Sequence, residues 1–237
     1  MTMTDDEQKE QLKGFMKRYG SPILTGVLLA LIIFFAWEWW QKNNHIKASN
    51  LTVQYQNLLN QVEMASQDKT AYSKLSADAD KIVQENPDSA QAVQAQLLVA
   101  KLAFEREDYA TANKVLTQAT QSKVKDEGLK AIAKLHLAHT QVAQKQIDAA
   151  LKTLESIHLA AFTPSVEEAK GDIFVAKNNP EAAIKAYQKA WDELIKREQP
   201  RELLQIKLAN LGILVEDPAI KSPILSPTAM PSPASES

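Results

Sequence analysis

The chain has 237 residues, of which 45% are hydrophobic and 24% charged, enough for one sizeable domain and a separate apolar segment. A formal charge of −2 leaves no basic footprint for nucleic acid, and the absence of cysteine excludes disulfides, thiol catalysis and cysteine-ligated zinc. Six glycines among abundant Ala, Leu, Gln and Lys favour helices over strands.

The first element is apolar. No charge falls between Arg18 and Glu38, and Ile23 to Trp37 reads ILTGVLLALIIFFAW. As a helix these 19 uncharged residues span roughly 28 Å, the thickness of a hydrocarbon core. A buried core helix would carry polar positions at 3.6-residue spacing, and none occurs between Val27 and Ala36. The run leads into Trp37, Trp39 and Trp40, not into a small-x-small cleavage site, so residues 20–40 read as a retained transmembrane helix. Lys9, Lys13, Lys17 and Arg18 precede it, against Lys42 and Lys47 after it. That asymmetry predicts residues 1–19 in the cytoplasm and the bulk of the chain in the periplasm of a bacterium with two membranes. Pro22, Gly26 and Ala30 recur every fourth residue, a stripe on which a membrane partner's backbone would approach closely, although such residues are ordinary in membrane helices.

Residues 41–216 read as a helical domain. Leu51, Tyr55, Leu58, Leu59 and Val62 mark one weakly amphipathic helix over 42–70, which continues the membrane helix or caps the helical array beyond it. Breaks then fall at Asn86-Pro87, Glu107-Asp108, Gly128, Thr163-Pro164, Asn178 to Pro180 and Gln199-Pro200. Three of them introduce one phrase: EDYATANKVLTQA at 107–119, KQIDAALKTLESI at 145–157 and NNPEAAIKAYQKA at 178–190. Their anchors Ala112, Ala150 and Ala183 are 38 and 33 residues apart, near the 34-residue tetratricopeptide period, the first interval being assigned a few extra loop residues.

Twelve residues before each anchor stand Ala100, Ala138 and Gly171, and four after stand Leu116, Leu154 and Tyr187. A small residue on each first helix must face a small one on the second where the axes cross, and the bulky residue one turn on fills the space toward the next hairpin. The chain is thus expected to be all-α, a tetratricopeptide-like hairpin solenoid behind one membrane helix. A fourth, degenerate copy is anchored at Ala79 with Val83, and RELLQIKLANL at 201–211 supplies an amphipathic cap. Residues 217–237, with five prolines among Ser, Ala and Thr, predict a disordered, solvated tail.

Chemistry is sparse. His136 and His139 share a helix face without a third ligand, Glu167 and Glu168 open a helix where negative charge suits the dipole, and no G-x-S-x-G, Walker or dinucleotide motif occurs. No enzyme activity, metal or cofactor is expected. A stacked array instead offers a concave surface to protein segments. The repeat alignment points Lys101, Phe104, His139, Val142, Asp172 and Val175 toward it, although the apolar three fit equally well as packing between helices.

The tail DDEQKEQLKGFMKRYG, one span ending in Trp-rich sequence, degenerate hairpins and the closing ELLQIKLANL together resemble the YfgM-type ancillary SecYEG translocon subunit family over roughly residues 5–212. The resemblance implies a periplasm-facing inner-membrane protein beside the SecYEG export channel, working with the PpiD chaperone and passing exported client proteins to periplasmic chaperones. It also implies restraint of a cytoplasmic response regulator, for which only the N-terminal tail is available. An envelope-assembly scaffold and a stress-signalling adaptor are the other classes open to an anchored stack of hairpins.

Overall fold

The computed structural model describes residues 5–199 and 201–215, without the side chains of 5–25, 27 and 43–48. The predicted tail at 217–237 lies outside the described residues. All regular structure among those described is helical. The chain divides into two compact units, residues 1–57 and 58–237.

The first helix, α1 (Asp5–Gln67), runs through the predicted span and through the helix expected over 42–70. In the first unit, Leu28, Leu29, Ile32, Ile33, Phe34, Trp37 and Trp39 are all exposed. Phe34 and Phe35 meet edge to face at 5.7 Å, and Trp37 and Trp40 lie 5.6 Å apart. Among the described residues no helix is long and apolar enough to cross a membrane. Residues 20–25 and 27 of the predicted span are outside those whose side chains are described.

The second unit is a run of helices in which each packs on its chain neighbours: α2 (Lys69–Glu85), α3 (Ala90–Glu105), α4 (Tyr109–Gln121), α5 (Glu127–Ala143), α6 (Ile147–Glu155), α7 (Thr163–Ala176), α8 (Pro180–Lys196) and α9 (Glu202–Asn210). A 3-10 turn at Ala160–Phe162 precedes α7. Aspartate, serine and asparagine start most of these helices for a local reason. Asp68, Ser89, Asp108, Asp126 and Asn179 each accept a hydrogen bond from a backbone amide three residues on, satisfying a donor that has no partner within the helix. Gly128, expected at a break, sits in the first turn of α5, and the break itself is at 122–126.

The hairpins α3/α4, α5/α6 and α7/α8 are the three repeats. Ala112, Ala150 and Ala183 are wholly buried, and so are Ala138 and Leu154, while Ala100, Leu116 and Tyr187 are nearly so. The crossing at Gly171 leaves no room for a side chain, since an added Cβ would stand 2.2 Å from Cε1 of Tyr187. Core clusters straddle successive helices: Ala138, Ala150, Leu154, Val166, Ala169 and Ile173 join α5, α6 and α7. Tyr187, Trp191 and Leu194 of α8 enclose Leu204 and Leu208 of α9, which therefore covers the last hairpin as expected. At the other end Ala79 is buried, but the side chain that fills the core beside it is Ile82, with Val83 half-buried.

The three hairpin turns match residue for residue. Glu107, Lys145 and Asn178 take left-handed conformations, with φ of 62°, 62° and 53°. In each turn the next amide bonds back to the carbonyl five residues earlier, Asp108 to Ala103, Gln146 to Gln141 and Asn179 to Phe174, at 2.8 to 2.9 Å. The unequal repeat lengths have a different origin from the one expected. The connection from α4 to α5 has five residues and that from α6 to α7 has seven, whereas α4 and α5 have 13 and 17 residues against 9 and 14 in α6 and α7. The extra length of the first interval is helical.

Polar groups at the helix ends also tie distant parts of the array. The Arg106 guanidinium donates to the carbonyls of Ala65 and Asp68 and covers the Tyr72 ring at 4.9 Å. Arg197 donates to the carbonyls of Ala160 and Ala161 at 2.7 and 2.9 Å.

Because a methyl group at Gly171 has no space, Gly171→Ala is expected to lower domain stability by about 1–3 kcal/mol in urea unfolding followed by circular dichroism. Gly26→Ala, where an added Cβ meets nothing within 4 Å, should leave that transition unmoved.

Candidate functional site

The residues one and four places after each small residue occupy the last turns of the first helices α3, α5 and α7. Lys101 is exposed and pairs with Glu105 one turn on at 3.8 Å, an arrangement of small energetic weight that leaves its ammonium open to a partner. Phe104 is 38% exposed and meets Tyr109 edge to face, ring centroids 5.1 Å apart. His139 is exposed, its ring 6.5 Å from that of His136. Val175 is exposed, whereas Val142 is half-buried against the cluster joining α5, α6 and α7, so packing takes up that side chain.

Asp172 is engaged. It accepts the Tyr187 hydroxyl proton at 2.7 Å and pairs with Lys207 at 2.7 Å. It belongs to a polar group on α7 for which composition gave no signal. Glu168, buried, pairs with Arg201 at 2.6 Å and Lys207 at 2.9 Å. Glu167, equally buried, pairs with Lys170 at 3.1 Å and Lys189 at 3.0 Å. Both glutamates suit a helix start by sequence, yet they hold α7 to α8 and α9. The cations that reveal this arrive 33 and 39 residues later, in a segment whose pattern shows only an amphipathic cap. Tyr187 is the one member of the bulky column with a polar end, and that hydroxyl is the available clue.

Charge states reflect this packing. Burial acts against the Lys207 ammonium, but its bonds to Asp172 and Glu168 outweigh that, so its pKa is raised. Burial and the bond to Asp172 push the Tyr187 hydroxyl well above its ordinary range. Desolvation lowers His139, with Asp172 and Glu168 opposing and Lys207 assisting, and desolvation with the neighbouring His139 lowers His136.

The alignment thus brings His139 and Asp172 into one electrostatic neighbourhood and leaves Lys101 and Phe104 as a separate exposed pair on α3. A cleft of about 340 Å³ between α4, α5 and α6 is lined by Thr120, Lys134, Leu137, Gln141 and Lys152 among others. Lys134 is held there by the Ser156 carbonyl at 2.9 Å. Gly26 and Ala30 are exposed on α1, and Pro22 lies on that helix outside the residues whose side chains are described. Among the described residues no three His, Cys, Asp or Glu side chains gather as metal ligands.

Repeated hairpins closing on small residues, with side chains displayed along their first helices, define a tetratricopeptide-like repeat protein, and residues 13–213 match the family described as tetratricopeptide repeat-like domain. The chain is 32% identical over 211 residues, 89% of its length and 98% of the relative's, to a Haemophilus influenzae protein named ancillary SecYEG translocon subunit. Proteins of the same name from Neisseria gonorrhoeae and Escherichia coli are each 28% identical over 88% of the chain, covering 98% and 97% of their own lengths. The chain belongs to the family whose members carry that name. No solved structure matches it.

Glu168→Gln, which removes the charge facing Arg201 and Lys207, is expected to cost about 1–3 kcal/mol in the same unfolding experiment, with a smaller deficit at high salt where the half-buried partners are partly screened. Because the folded state favours neutral His136 and His139, their contribution is complete above the unfolded imidazole pKa near ~6.5 and declines as pH falls toward their lowered folded values. Unfolding midpoints measured between neutral and mildly acidic pH should fall more steeply for the native chain than for a His136→Gln, His139→Gln double variant.

Proposed function

We propose that the chain is an ancillary subunit of the SecYEG protein-export channel, a membrane-anchored scaffold that binds exported proteins and passes them to periplasmic chaperones. The observation that carries this reading is the match along nearly the whole length of relatives bearing that name, over a domain built of hairpins. PpiD is the chaperone partner, as the resemblance implies, and exported segments lie along the first helices of the hairpins. Lys101, Phe104 and His139 offer a cation, an aromatic ring and an imidazole to such a segment, and Asp172 and Val175 continue the row beside Val142. The reading needs no reaction and no cofactor.

Residues 20–40 form the anchor in this proposal, with residues 1–19 in the cytoplasm and the hairpins in the periplasm. Its support is the 19-residue uncharged run, the four basic residues before it against two after, and the exposed Leu, Ile, Phe and Trp side chains of α1, which lipid would cover. Pro22, Gly26 and Ala30 give this helix a side on which a channel helix would pack.

Affinity purification of the tagged full-length chain from mild-detergent extracts is expected to recover SecY, SecE, SecG and PpiD. Recovery of cell-wall enzymes in their place would favour an assembly scaffold, and a response regulator bound only when residues 1–18 are present would favour the signalling adaptor. Lys101→Ala should reduce recovery of exported proteins without changing helix content. Protease added to spheroplasts should digest the region beyond Trp40, and protection there would reverse the orientation.

A further inference from the structure

Among the described residues α9 is the last helix, and it stands where the first helix of a further hairpin would. In α7, Ala169 and Ile173 are buried against the preceding hairpin, and Gly171 between them faces α8. In α9, Leu204 and Leu208 are wholly buried against α8, and Ile206 stands between them, 35 residues after Gly171. Ile206 therefore occupies the column of Ala100, Ala138 and Gly171, the side of each first helix that its own second helix covers. Those three are buried, whereas Ile206 is 49% exposed and Leu203, one turn before it, 56% exposed. The residue there is also large, so whatever covers it must be slimmer than a helix packed through an alanine column.

The chain turns back along α9 after its last residue. Gly212, with φ of 82°, reverses direction after α9, and the Ile213 amide bonds back to the Leu208 carbonyl at 3.0 Å. Ile213 and Val215 pack against the α8–α9 cluster, and the Gln205 side chain donates to the Val215 carbonyl at 2.6 Å. Residues 213–215 thus run antiparallel to α9, the direction a second helix takes. The next residues are Glu216-Asp217-Pro218-Ala219-Ile220. Ile220, Ile224 and Leu225 are the large apolar residues nearest this exit. Nine residues from Val215 reach up to roughly 30 Å, against about 13 Å for the length of α9, so the tether imposes no geometric limit. The family match ends at residue 213, so this segment lies beyond the part shared with that family.

We propose that residues 217–225 of this chain cover the Leu203–Ile206 face of α9 and complete the open end of the array, with Ile220, Ile224 and Leu225 as the apolar contacts. The driving force is burial of two exposed aliphatic side chains by a segment held at high local concentration, which removes most of the association cost a separate partner would bear. An open apolar end of a repeat array is otherwise a site where a second array stacks.

The chain contains no cysteine, so paired cysteines report the contact directly. In the full-length protein in membrane vesicles, the pair Ile206→Cys with Ile224→Cys is expected to form an intramolecular disulfide about tenfold faster than Ile206→Cys with Ser235→Cys, whose second thiol lies past the proposed contact. Equal rates would mean a solvated tail and would overturn the proposal. So would a cross-link between two chains, which would assign the face to a second copy. Deleting residues 217–237 should also speed maleimide labelling of Ile206→Cys severalfold, and an unchanged rate would count equally against it.

Discussion

Where α7 crosses α8, the missing side chain of Gly171 admits the ring of Tyr187, and the same geometry recurs with alanine at positions 100 and 138. This close approach determines much of what surrounds it. It aligns the two helices of a hairpin so that their bulky residues, Leu116, Leu154 and Tyr187, fill the space toward the following hairpin. The core is then divided into clusters each shared by neighbours, as in HEAT or ankyrin stacks, so stability is the sum of hairpin and interface contributions. An array of this kind exposes side chains along the last turns of its first helices.

The exposed row is not uniform. At α7 the acidic residues are already met by cations of the same chain, Arg201 and Lys207 on Glu168 and Lys207 on Asp172. A partner approaching there must exchange one ion pair for another and gains little. On α3, Lys101 pairs with a neighbouring glutamate near the outer limit of pairing, and Phe104 is partly open to solvent. The acidic residues of α7 are thus engaged in holding α8 and α9, whereas the exposed side chains of α3 carry no such tie.

The repeat architecture was legible because its determinants are local and periodic: small residues at 12-residue offsets, cap residues before each second helix, and proline at the start of α8. The origin of the unequal spacing was not, since one cannot read from Ala112 and Ala150 whether extra residues extend helices or loops. The buried glutamates escaped for a related reason. A helix-start position explains an acidic residue adequately by itself, and only the fold brings Lys207 back across 39 residues to Glu168. Of the six surface candidates, Lys101, Phe104, His139, Asp172 and Val175 are exposed, but the offset from the small column could not report that Val142 is absorbed by the core or that Asp172 is already bonded.

The hairpin turns carry one more implication. Their left-handed residues are Glu107, Lys145 and Asn178, with no glycine among them, and what they share is the pair of backbone bonds that closes each turn. Register is therefore written in main-chain atoms, which every amino acid except proline possesses. Lineages of such a protein can drift until fewer than a third of their side chains agree while the hairpins keep their phase, and the shared architecture then survives in offsets and turn geometry long after any short signature has eroded.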